Sequence, residues 1–314
     1  MDIKFYVNSF HRFNGRITHF IGTSPVDYIK TWFSEMYCGF RYGCSFDDYF
    51  RYEFYKKSNY ERNKFITYRR SKNLIQNCND PEYICYFNDK ATFNTKFSAF
   101  IHRDWIDCHE ATDEELQSFI TQHERVLIKP RKGGQGKGIR LITINDYRKG
   151  LVNGIDNCIA EEVLIQHPEL SKLNPSSVNS IRVLTYNGDI IAAALRMGSN
   201  KSIVDNLHSD GICGHIDLQS GVIDILGVDN NMNKYLYHPN SRVLLPGFII
   251  PNWDQLIACV KEAAGLVKQV KYVGWDVAVL EDGIAIIEGN HDPGHDIVQM
   301  IAQTGLWSEL KRNH

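Results

Sequence analysis

Near its C-terminal end the chain reads "GWDVAVLEDGIAIIEGN", with Asp276 and Glu288 twelve residues apart and Asp282-Gly283 midway between them. An Asp-Gly pair between two apolar runs predicts a β-hairpin. In such a hairpin the two carboxylates fall opposite each other on one face. Like charges placed there repel unless a cation lies between them. Asn290 lies two residues beyond Glu288 and shares its face. Two carboxylates and an amide oxygen are hard donors, a set that suits Mg2+ bridging nucleotide phosphates. The alanines and isoleucines around them argue for burial.

A second stretch, "IKPRKGGQGKGIRLI", carries Gly133, Gly134, Gly136 and Gly138 among basic residues. Glycines let backbone N–H groups approach phosphate oxygens, and Lys132 and Lys137 add charge. It is not a P-loop, because Ile139 and Arg140 follow Gly138 where Lys and Ser/Thr are needed. Nor is it a dinucleotide fingerprint, because the spacing is G-x-G-x-G and a strand follows. The third feature is Arg196 within "IIAAALRMG", with Arg182 on the facing strand of a hairpin that turns at Asn187-Gly188. A charge in so apolar a strand is costly unless it is paired or binds an anion.

The elements that must position these residues follow from texture. The first 110 residues are aromatic-rich and poor in glycine. There Phe46, Tyr49, Phe50, Phe54 and Tyr55 recur at helical intervals and read as a core stripe. Thr112 and Glu115 form a capping box ahead of another helix. After residue 125, "RVLIKP" and "GIRLITI" flank the glycine stretch as two strands, and "NCIAEEVLIQH" is a strand running into a connector. Hairpins are predicted at Asn187-Gly188, Ser220-Gly221 and Asp282-Gly283, with an amphipathic helix within "NWDQLIACVKEAAGLVKQV". Antiparallel hairpins with interspersed helices mean α+β, not β-α-β alternation.

At 314 residues and 43 % apolar composition, the chain supports a large core and two or three subdomains. Its formal net charge of −2 gives no bulk attraction to nucleic acid or anionic lipid. None of the eight cysteines forms a C-x-x-C pair, so scattered reduced thiols are expected rather than zinc or disulfide chemistry. The first twenty residues are rich in charge, and no run approaches the roughly 20 apolar residues of a membrane span. A cytoplasmic location is expected, with no nucleic-acid partner.

Lys129-Pro130 before a glycine hairpin, "AEEVL" some thirty residues on, and "EGN" near the end follow one another in the order seen in ATP-grasp enzymes. More narrowly, the chain resembles the sugar-transfer-associated ATP-grasp family found with polysaccharide biosynthesis genes. That likeness rests on "DDYFRYEFYKKSNYERNKFIT", "NDKATF", "EEVLIQHPEL", "VNSIRVLT", "VDNLHSDGICGHID" and "GWDVAVLEDGIAIIEGN". The resemblance implies an ATP-grasp fold, two α+β subdomains clamping ATP behind a mainly helical N-terminal region. The corresponding segments are 1–110 as the helical region, 111–165 as a lid with the glycine hairpin, and 166–314 as the larger subdomain.

The resemblance also assigns roles. Lys129 is matched to a nucleotide phosphate, as is Lys90 of "NDK", with Lys96 as its alternative. Glu161, Glu162, Val163 and Leu164 match the adenine hinge, and Glu169 or Gln166 the ribose site. Asp276, Glu288 and Asn290 match the Mg2+ ligands, and Arg196, with Arg182 beside it, the group that steadies the transferring phosphoryl. Asp205, Asn206, His208, His291 and His295 are candidates for substrate contact, although Asp210-Gly211 stands where the family tends to have paired glycines. The implied reaction is ATP-dependent joining of a carboxylate and an amine through an acyl phosphate. The expected substrates are small, with a sugar acid and an amino acid as the pair expected in capsule or O-antigen synthesis. Alternatives are a kinase on the same scaffold, and a non-catalytic nucleotide-binding partner of a glycosyltransferase.

Overall fold

The computed structural model describes residues 3–134, 136–149, 154–198 and 211–310. By packing, the chain divides into two units, Met1–Asn77 with Gly294–His314, and Cys78–Pro293. The motif-based segments 1–110, 111–165 and 166–314 do not coincide with these units. Among the described residues no helix is long and apolar enough to cross a membrane.

The first unit is helical. Capping boxes at Ser24/Asp27, Ser45/Asp48 and Ser58/Glu61 start helices Pro25–Tyr42, Phe46–Arg51 and Asn59–Arg62. Glu53, with φ at 48°, breaks the aromatic stretch into two short pieces. The stripe still faces inward: Tyr49, Phe50 and Phe54 are buried with Phe13, Tyr52 and Phe65, and Phe46 and Tyr55 pack against them. The fully buried Gln299 accepts from the N–H groups of Ile66 and Leu306 and donates to the carbonyls of Ile66 and His295. It thereby pins the C-terminal segment to the front helices.

The second unit holds two antiparallel sheets. The smaller joins β1 (Trp105–Asp107), β2 (Arg125–Pro130), β3 (Arg140–Thr143) and β4 (Cys158–Glu162) in the order β1-β4-β2-β3. Helix Asp113–His123 begins at the expected Thr112/Glu115 box and packs Leu116 and Ile120 onto Val126, Ile128 and Ile142. The glycine stretch is the β2–β3 connection. Gly138 has φ at +79°, and a Cβ there would lie 2.8 Å from Pro130 Cγ, so only glycine closes this turn without strain.

The larger sheet is built from β5 (Ile181–Tyr186), β6 (Asp189–Met197), β7 (Ile212–His215), β8 (Gly227–Asp229), β9 (Lys234–Tyr235), β10 (Tyr272–Val279) and β11 (Ile284–Asn290). Its order is β11-β10-β5-β6-β7-β8-β9. Asn187 and Gly188, both at positive φ, make the expected β5–β6 turn. Helix Trp253–Leu266 covers one face, burying Trp253, Leu256, Val260 and Ala263 in the core around Trp275.

The turn expected at Ser220-Gly221 is present: Asp217 N–H donates to Val222 O, Gly221 N–H donates to Asp217 O, Ile216 bridges Ile223, and the arms run on as the antiparallel β7–β8 pair. The return arm is irregular next to the turn because its backbone also bonds a distant loop. Ile223 N–H donates to Phe248 O, its carbonyl accepts from Gly247, and Gly221 O accepts from Ile250 N–H.

Candidate active site

The β10–β11 hairpin sets Asp276 directly opposite Glu288, as their spacing predicted. On the other flank Asp276 lies opposite Arg182 of β5. Arg182 Nε is 2.7 Å from Asp276 Oδ1, and Arg196 Nη2 is 3.0 Å from Oδ2. The Arg196 guanidinium also donates to Ser180 Oγ, at 3.1 Å from Nε and 3.0 Å from Nη2. The buried charge in the apolar β6 strand is therefore paired. Gly274, two register pairs along, leaves room for Arg182: a Cβ there would lie 2.7 Å from its Nη1.

The two carboxyls diverge in proton affinity. Burial raises that of Asp276, but Arg182 and Arg196 outweigh it and hold the carboxyl below its usual range. Burial, then the neighbouring Asp276 charge, pushes Glu288 up. Asn290 Nδ2 donates to Glu288 Oε1 at 3.4 Å. This donor set fits a hard dication: the Lys90, Arg182 and Arg196 charges do not offset what burial and Asp276 do to Glu288, and Mg2+ would add the charge that favours its ionised form.

A second buried carboxylate organises the opposite wall. Glu161 ends 1 % exposed on β4. Its Oε1 accepts from Arg103 Nη2 and Asn94 Nδ2, each at 2.9 Å, and its Oε2 lies 2.5 Å from Lys129 Nζ. Burial raises this carboxyl, yet Arg103 and Lys129 together hold it well below the usual carboxylate range. Arg103 also donates to the carbonyls of Ile286 and Ile287, tying β4 to β11. Lys90 Nζ donates to Gly133 O at 2.9 Å and so steadies the glycine loop.

Both walls open on one cavity of about 470 Å³, a size typical of small-molecule sites. Leu127, Leu141, Leu164, Val178 and Ile287 give it an apolar slot, while Lys90, Lys129, Arg196, Asp276 and Glu288 line its polar part. Of the residues singled out from sequence, Gly136, Glu161, Glu162 and Val163 border it too. Arg182 and Asn290 touch lining carboxylates from outside, and Gly133, Gly134, Lys137 and Gly138 are not among the lining residues.

Glu169 is not among the lining residues, although Gln166 and Ser171 on either side are, and it pairs with Lys172 at 2.7 Å on a half-exposed surface. Gln166 borders the cavity, but its amide is bonded to Asn174, Ser177 and Asn179. His291 meets Asn88 Oδ1 at 2.7 Å, and in the first unit His295 meets Asp48 Oδ1 at 3.1 Å. Asp205, Asn206 and His208 lie outside the described residues.

Sequence reasoning missed Arg103 and Asn94. The one available signal was a lone arginine closing the apolar run "FSAFIHR". It also missed Val178 and Ile287 as slot walls, because an apolar residue beside a ligand looks like any core residue in sequence.

The family profile of sugar-transfer associated ATP-grasp proteins matches residues 149–314, just over half of the chain. A search of curated proteins gives no significant match. Among solved structures, the ATP-grasp ligase PsnB complexed with a minimal precursor is 15 % identical, with a TM-score of 0.48 over 76 % of this chain and 64 % of that one. D-alanyl-alanine synthetase A from Vibrio cholerae O1 biovar eltor is 12 % identical, with a TM-score of 0.47 over 74 % of this chain and 65 % of that one. The ADP complex of purK, an N5-carboxyaminoimidazole ribonucleotide synthetase, is 14 % identical, with a TM-score of 0.44 over 73 % and 52 %. The chain thus spans less than two thirds of the length of these structures.

Proposed function

This chain belongs to the sugar-transfer associated ATP-grasp family, and from that premise we propose that its cavity uses ATP and Mg2+ to join a carboxylate to an amine. The observation that carries the reading is convergence. The Asp276–Glu288 pair, Arg196 and Lys129 reach one cavity whose remaining wall is an apolar slot.

In this reading the adenine lies in the slot of Leu127, Leu141, Leu164, Val178 and Ile287, read by the backbone of residues 162–164. Glu161 holds Lys129 and Arg103 rather than contacting the base, since its oxygens are already bonded. Lys129 and Lys90 face the phosphates. Asp276, Glu288 and Asn290 would hold Mg2+, which when bound supplies charge neutralisation at phosphate oxygens. Residues 111–165 act as the lid and 166–314 carry the transfer site.

A substrate carboxylate oxygen attacks the γ-phosphorus of ATP, and the bond to the bridging oxygen breaks to release ADP. The amine nitrogen then attacks the acyl phosphate carbon, phosphate leaves, and the nitrogen loses a proton as the amide forms. Phosphorylation is needed because the oxide of a carboxylate is a poor leaving group. Arg196, held by Ser180 and Asp276, is aimed to balance charge on the transferring group, and Arg182 fixes Asp276. The contribution of the protein is positioning and electrostatics, with the glycine hairpin excluding water while the acyl phosphate exists.

The substrate pair we propose is an amino acid and a sugar acid destined for surface polysaccharide. The test is an ADP-release screen of amino acids against uronic acids and sugar nucleotides, with products identified by mass spectrometry. An amide with one ADP and one phosphate supports the reading. A phosphoester made without an amine replaces it with a kinase. Binding of Mg·ATP without ADP release for any pair replaces it with a nucleotide-binding partner of a glycosyltransferase.

A further inference from the structure

At Glu162, where the main cavity and a second groove share a lining residue, three side chains from three elements converge. Asp104 precedes β1, Glu162 ends β4, and His123 closes helix Asp113–His123. One ligand atom from each lies within 4.8 Å of the other two. We propose that Asp104, His123 and Glu162 bind a borderline divalent transition ion, of which Zn2+ is the one to test.

The imidazole carries the argument. The His123 side chain is only 10 % exposed, yet its Nε2 has no hydrogen-bond partner. A buried, unpartnered polar nitrogen is costly to leave in place. Its nearest charged neighbour, Asp104 Oδ2, is 3.4 Å away. That is long for a hydrogen bond, but it matches the edge of a tetrahedron whose donors sit about 2.0–2.2 Å from a metal. The ring is also held in place, with the Phe119 ring tilted against it at 4.6 Å between centroids.

The Glu162 carboxylate and the Asp104 backbone are fixed independently of any ion. Glu162 N–H donates to Asp104 O at 2.9 Å, and Asp104 N–H donates to Glu162 Oε2 at 3.1 Å. This reciprocal pair extends the β1–β4 ladder and brings two acidic side chains together beside His123. One nitrogen and two carboxylate oxygens make a ligand set for zinc-like ions, with a fourth position open to water. Mg2+ and Ca2+ favour all-oxygen sets. An entry path exists as well: an open groove of about 570 Å³ is lined by Asp104, Glu162, His102 and Arg103. Glu162 borders both this groove and the main cavity, so an ion here would fix the hinge end of β4 and the helix that backs the smaller sheet.

The experiment is a Zn2+ titration of the untagged full chain, followed by calorimetry and by metal content after dialysis. Excess Mg2+ keeps hard sites such as Asp276 and Glu288 occupied. The expected result is one zinc per chain in the wild type, with uptake weakened by at least roughly tenfold in both His123→Ala and Asp104→Asn. Asp104 is mostly exposed, so Asp104→Asn tests the site even if His123→Ala folds poorly. Visible bands of tetrahedral Co2+ in the wild type, lost in Asp104→Asn, would place the ion on these ligands. No uptake by the wild type, or equal uptake by both variants, overturns the proposal and leaves His123 and Asp104 as an ion pair alone.

Discussion

Replacing Glu161 with Gln keeps its shape and its hydrogen bond from Asn94 but removes the charge between Arg103 and Lys129. Those cations have side chains 1 % and 10 % exposed, so each would keep only a cavity-facing edge open to water. Removing one member of a buried ion pair costs about 3–5 kcal/mol, because the partner stays buried and unpaired. A unit of this size loses about 2–4 °C of Tm per kcal/mol, so the variant should melt roughly 6–20 °C below the wild type. Calorimetry at neutral pH reads this directly. The sign of the pH dependence follows from the depressed carboxyl. Its stabilisation is full above the ordinary glutamate value of 4.5 and is lost only as pH falls toward the lower folded value. The gap between wild type and variant should therefore persist at mildly acid pH. A loss of no more than about 2 °C, or a gap that closes on acidifying to the ordinary glutamate range, would refute the account of Glu161 as the charge that holds Lys129 and Arg103.

Glu288→Ala should lower ADP release by at least roughly a hundredfold while leaving Tm unchanged or raised, since a buried carboxyl with raised proton affinity stabilises little; near-normal turnover would remove Glu288 from the metal set. Mg·ATP affinity should fall on acidification, beginning at higher pH than for an ordinary glutamate, because Glu288 is pushed up by burial and by Asp276. Affinity flat from neutral pH to the ordinary glutamate range would contradict that, as read by titration calorimetry. Gly274→Ala puts a Cβ 2.7 Å from Arg182 Nη1 and 2.8 Å from Pro293 Cβ. It should cost about 1–3 kcal/mol in Tm-derived stability and lower turnover more than nucleotide binding, by displacing the arginine that holds Asp276.

What the sequence made legible follows its local signals. The Asp282-Gly283 and Asn187-Gly188 turns announce their hairpins, and the even spacing about residue 282 put Asp276 opposite Glu288; the facing is completed by a register shift between Asp276 and Val277, which spacing does not reveal. The Ser220-Gly221 turn was legible too, but the irregular start of its return arm was not, because the further backbone partners Gly247, Phe248 and Ile250 come from a distant loop that no local pattern announces. The same limit hid Arg103. Its partners Glu161, Ile286 and Ile287 are far away in sequence, and a solitary arginine has no periodicity. Glu169 failed in the opposite direction. It follows the hinge closely in sequence, but the helix Pro168–Ser171 turns it outward to Lys172.

The two buried carboxylates follow one rule. Asp276 is held between Arg182 and Arg196, and Glu161 between Arg103 and Lys129. Each trio leaves one surplus positive charge, and in each a cation reaches the cavity wall. A carboxylate so placed does not cancel its neighbours; it fixes their direction at the cost of burial, which the paired cations offset. Glu288 is the exception, because burial and the Asp276 charge outweigh the pull of Lys90, Arg182 and Arg196, and its proton affinity rises. Lys129, Arg196 and Lys90 line the same cavity, so the free site offers cations to an anion. A dication arriving with that anion would favour the ionised form of Glu288, so nucleotide and metal should be taken up together rather than metal first.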